Sequence, residues 1–77
     1  MLYISIINYQ WRAKNMQGID LKILRLKAGL MQYKLAAKID IPQSRLSQIE
    51  NGKLRFDDRL RQQILYGIKQ LKESGHS

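Results

Sequence analysis

The residues from Gln32 to Gly52, QYKLAAKIDIPQSRLSQIENG, leave this chain few folds to choose from. Leu35, Ala36 and Ile39 repeat along one helical face. The pattern breaks at Asp40 and Pro42 and resumes with Leu46 and Ile49. Helical periodicity on both sides of so short an interruption predicts a short helix, a tight turn and a second helix. Together with Ile41 these apolar residues are spaced to close a small core beneath the pair. Ala36 is small enough to let two helices cross closely, where a bulkier side chain would cost about 1–3 kcal/mol by overpacking. Asp40, in the turn, tolerates the left-handed conformation better than most residues, though less well than glycine. Pro42 opens the next helix, where its fixed φ and missing N–H do no harm.

The flanks continue in helical register. Asp20 is placed to cap a helix in which Leu21, Leu24 and Ala28 face inward and Ile23 and Leu26 widen the stripe. Gly29 stands where a positive φ commonly ends a helix, with Leu30 folding back over it. Asn51-Gly52 ends the helix that Pro42 began. Lys53, Arg55 and Phe56 form a loop, with Phe56 anchored in the core. Asp57 or Asp58 then caps a last helix reaching about Lys72, its apolar face made by Leu60, Ile64, Leu65, Ile68 and Leu71. Arg59, Arg61, Lys69 and Lys72 take its other side. Gly67 inside that helix costs about 1 kcal/mol relative to Ala and marks close contact with a neighbour. The expected architecture is all-α, a small four- to five-helix bundle. Residues 1–18 form an N-terminal extension, 19–73 the compact domain and 74–77 a disordered tail.

The extension differs from the rest. Leu2, Ile4 and Ile6 alternate with Tyr3, Ser5 and Ile7, a strand-like pattern, and a lone strand must pair, pack or stay unstructured. Tyr9, Trp11, Arg12 and Lys14 suit a dimerising strand or an arm on DNA, set against a loosely packed extension. Met16 offers a second starting point for the compact domain.

Composition narrows the function. Fourteen Lys and Arg against six Asp and Glu give a net charge of +8, which favours a polyanionic partner. No apolar run approaches the ~18 residues of a membrane span. Cysteine is absent, so neither disulfides nor a thiolate metal site are expected, in keeping with a cytoplasmic setting. The single histidine, His76, lies in the polar tail without a second ligand. No nucleophile, base and orienting group converge, so no catalysis, metal or cofactor is expected. Gln43, Ser44, Arg45, Ser47 and Gln48 make the outward face of the helix after the turn polar and rich in amides and hydroxyls. That chemistry suits hydrogen bonding to base edges in the DNA major groove.

LKILRLKAGLMQYKLAAKIDIPQSRLSQIENGK, residues 21–53, resembles the Cro/C1-type helix-turn-helix family, also called the XRE family, to which phage repressors belong. The resemblance rests on Arg25, on Gln32 with Leu35-Ala36, and on Ile49-Glu50-Asn51-Gly52 at the right separation. It extends weakly into the last helix. It implies a lambda-repressor-like domain that binds double-stranded DNA as a transcriptional regulator, bacterial or phage-encoded. On that likeness Arg25 and Glu50 form a structural ion pair. Gln43, Ser44, Arg45 and Gln48 fall at base-reading positions. Gln32, Tyr33, Ser47, Asn51, Lys53 and Arg55 fall at phosphate-contacting ones, with Gln32 also bracing the base-reading helix. The sequence departs from the family at Met31 and Pro42, which replace hydroxyl-bearing helix caps, and at Asp40, which replaces a turn glycine. One long final helix, where many relatives have two, changes the dimer surface. A repressor working as a homodimer on a two-fold operator is the leading expectation. The alternative is an antitoxin that binds a toxin and represses its own promoter. A third reading is a binder of RNA or anionic membranes through charge alone.

Overall fold

The computed structural model describes residues 15–74, and four helices run through them: α1 (Gly18–Lys27), α2 (Gln32–Lys38), α3 (Gln43–Glu50) and α4 (Asp58–Glu73). The strand-like pattern of the first residues and the position of His76 lie outside the described residues. α1 and α2 both pack on α3 and on α4, so the two middle helices are held from both sides. The core is Leu21, Leu30, Leu35, Ala36, Leu46, Ile49, Leu60, Ile64 and Ile68. Ile39, Ile41, Leu54, Phe56, Leu65 and Leu71 pack against it half-buried.

The first three helices end in the same way. In each, a residue at positive φ turns the chain and two backbone N–H groups return to the last carbonyls, the Schellman arrangement. At the end of α1, Gly29 (φ 72°) donates to the Leu26 carbonyl and Leu30 to that of Arg25. After α2, Asp40 (φ 60°) donates to Ala37 and Ile41 to Ala36. After α3, Gly52 (φ 74°) donates to Ile49 and Lys53 to Gln48. The repeated turn folds α2 and α1 back onto α3. Asp40 is the one non-glycine residue at positive φ among the described residues. A β-branched side chain is far less tolerant of that conformation. Asp40→Val is therefore expected to lower stability by about 1–2 kcal/mol in urea unfolding.

The helix starts differ from expectation in places. Asp20 does not cap α1. The helix begins three residues earlier, with Gln17 at the cap, and the Asp20 carboxylate accepts the Gln17 backbone N–H from the first turn (2.8 Å). Gly18 is the first residue of α1, buried against α3. Met16, just before it, packs half-buried against the core. Ile23 and Leu26 do not widen the inward stripe: they lie on the opposite face, 42% and 56% exposed. Asp57 caps α4 by accepting the Leu60 N–H (2.8 Å). Gly67 meets α2 closely; a Cβ there would lie 2.7 Å from Ile39 and 3.0 Å from Leu35.

Arg61 is half-buried rather than on the solvent side. Its Nε donates to the Met16 carbonyl (2.9 Å), its Nη1 to Asp58 (2.8 Å), and its guanidinium lies 5.0 Å from the centre of the Phe56 ring. Arg61 thereby ties the entry of the chain to the first turn of α4 and to the loop before it. Nothing in the sequence marks it out from the other basic residues of α4.

Candidate nucleic-acid interface

The site is built outward from one buried ion pair. Arg25 on α1 is 7% exposed and Glu50, the last residue of α3, is 1% exposed. Arg25 donates from Nε to one Glu50 oxygen (2.8 Å) and from Nη2 to the other (3.1 Å). Its Nη1 donates to the Leu30 carbonyl in the α1–α2 turn (2.7 Å). A charge taken out of water is costly unless its hydrogen-bonding capacity is met. Here the fork of the guanidinium matches the carboxylate, and no buried side-chain polar atom among the described residues lacks a partner.

The network continues to the surface. Gln32, the first residue of α2, donates its amide to Glu50 Oε1 (3.0 Å). The Gln32 carbonyl oxygen accepts from the Gln43 amide (3.3 Å), and Gln43 is the first residue of α3. Four hydrogen-bonded side chains thus run from the interior to the exposed N-terminus of α3. They fix both ends of that helix relative to α1 and α2. Arg25 draws attention in the sequence as a charge amid apolar residues, but the link between Gln32 and Gln43 appears only when the two helix starts are brought together.

α3 buries Leu46 and Ile49 and turns Gln43, Ser44, Arg45 and Gln48 outward, all exposed. Ser47, read from sequence as outward, is half-buried, and its hydroxyl accepts from the Asn51 amide (3.3 Å). Tyr33 is exposed at the start of α2, and Asn51, Lys53 and Arg55 are exposed on the loop after α3. The candidate base-facing residues therefore share one helix face. The candidate phosphate-facing residues other than Ser47 flank it on α2 and on the α3–α4 loop. No side chain caps α2 or α3, in line with Met31 and Pro42 at those positions.

An exposed polar helix, set on a second helix and followed by a basic loop, is the arrangement by which a small domain places one helix in the major groove. A helix-turn-helix family model matches residues 21–64, more than half of the chain. The chain belongs to this family, of the Cro/C1 or XRE type, and is a DNA-binding transcriptional regulator. No curated protein and no solved structure matches it significantly. The family is typically non-enzymatic. No helix of the described residues is long and apolar enough to cross a membrane. Among those residues no group of three or more His, Asp or Glu side chains is placed to hold a metal ion.

Proposed function

We propose that the protein is a repressor that reads a two-fold operator as a homodimer in the cytoplasm, with α3 as its recognition helix. The observation that carries this reading is the braced position of Gln43. One N–H of its amide is held by Gln32, which leaves a second N–H and the carbonyl oxygen free at the exposed start of α3. Those two groups match the N7 acceptor and N6 donor of adenine. Ser44 beside it serves either base type. Arg45 and Gln48 extend the same face, and Lys53 and Arg55 meet the backbone with Gln32, Tyr33, Ser47 and Asn51. One module covers only a few base pairs, so two copies on half-sites about one helical turn apart supply the needed specificity. The reading assigns residues 19–73 to DNA binding, with 1–18 and 74–77 outside the DNA-reading unit.

Selection from a random duplex pool at stated salt should enrich one two-fold site; a pool without an enriched site would sink this reading. On the enriched site, Gln43→Ala should lose about 1–3 kcal/mol of discrimination at one base pair per half-site. Lys53→Ala should instead weaken all sequences alike and reduce the salt slope by about one. Binding through charge alone predicts that Gln43→Ala changes nothing. The antitoxin alternative requires a small protein partner that co-purifies with the full chain.

A further inference from the structure

α1 is apolar on two opposite faces. Leu21 and Arg25 are buried on one, against α3 and α4, with Leu24 and Ala28 half-buried beside them. Ile19, Ile23 and Leu26 stand on the other, 53%, 42% and 56% exposed. At about 100° per residue these three fall within roughly 60° of one another, with Lys22 at one edge of the stripe and Asp20 and Lys27 at the other. A helix apolar on both sides is normally covered on both sides. Three large aliphatic side chains at helical spacing form a stripe rather than the scattered exposed residues of an ordinary surface.

We propose that this face of α1 is the docking site of the chain's own N-terminal segment, with Leu2, Ile4 and Ile6 supplying the apolar contacts. The segment is tethered at the right place. It joins the described chain at Asn15, four residues before Ile19. It is long enough. Fourteen residues span up to about 46–50 Å when extended, whereas Ile19 to Leu26 covers about 10 Å of helix. Its chemistry is complementary: Met1 to Trp11 contain no acidic or basic side chain, and four of the first seven residues are Leu or Ile. A second copy of the protein is a poorer occupant. Three half-exposed side chains are a small part of the roughly 800 Å² per partner that a stable interface buries. A tethered segment needs no such area, because it forfeits no translational freedom and acts at an effective concentration in the mM range.

Methyl NOE spectroscopy of the full chain tests this directly. Contacts are expected between the methyl groups of Leu2, Ile4 or Ile6 and those of Ile19, Ile23 or Leu26. They should be absent from an isotope-filtered experiment on a mixture of labelled and unlabelled protein. The full-length variant Ile23→Ser with Leu26→Ser should lose them and return the Ile4 and Ile6 methyls to unstructured shifts. Backbone shifts of α3 should not change, which shows that the domain remains folded. A wild-type spectrum without these contacts overturns the proposal. Contacts seen only in the filtered experiment overturn it in favour of a second copy.

Discussion

Glu50→Ala should bring the domain to the edge of unfolding at room temperature. Breaking a buried ion pair by removing one partner costs about 3–5 kcal/mol, because the other charge stays in the interior uncompensated. Here the stranded group is Arg25, 7% exposed, and Gln32 loses an acceptor at the same time. A chain of this size buries only about 60% of the surface its unfolded form exposes, and its total stability sits near the low end of about 5–15 kcal/mol. Loss of the pair takes most of that margin. Urea unfolding of the wild type and the variant measures the change; a loss below about 1 kcal/mol would show that water reaches Arg25 freely. Replacing both partners, Arg25→Met with Glu50→Leu, should recover much of the stability, since no charge is left buried. Recovery should be incomplete. The Leu30 carbonyl and the Gln32 amide would both lack their partners, and the Gln32 that braces Gln43 would lose its anchor.

Gly18→Ala is expected to cost about 3 kcal/mol or more, although Ala is the better helix former by about 1 kcal/mol. The added Cβ would meet the Ile49 carbonyl oxygen and, at 2.9 Å, its carbon. These are backbone atoms of α3 and cannot rotate aside. α1 must therefore move off α3, and the Arg25–Glu50 pair spans the same contact. Gly67 makes a useful contrast. Its added Cβ would meet only side-chain atoms of Ile39, Leu35 and Lys38, which can yield by small shifts. Thermal unfolding distinguishes the cases: Gly18→Ala should lower Tm by more than 10 °C, given about 4–8 °C per kcal/mol for a domain of this size. An unchanged Tm would mean that α1 and α3 are not in close contact at Gly18.

The helices and their inner residues were largely legible because the apolar spacing is regular. Leu21, Leu35, Leu46, Ile49, Leu60, Ile64 and Ile68 follow the 3.6-residue period, and each is in the core. The turns were legible for a local reason. Gly29, Asp40 and Gly52 are residue types suited to positive φ, and all three adopt it. Periodicity misled at α1. Ile23 and Leu26 are as apolar as the residues beside them, and a one-dimensional pattern does not say which of two apolar faces meets the rest of the chain. Asp20 misled as a helix cap because the same carboxylate works from inside the first turn when the cap residue is Gln17.

By itself the sequence determined the all-helical class, the turn positions, the family and the polar face of α3, since each depends on neighbours within a few residues. Tertiary structure decided the rest. It joined Gln32 to Glu50 and Gln43, residues 18 and 11 positions apart. It set Gly18 against the backbone of α3 and brought Arg61 to Met16 across 45 positions. It also left one apolar face of α1 uncovered by the described residues. The physical reason is common to all of these. Spacing along a helix says which side chains share a face, but which faces meet depends on how the helices cross.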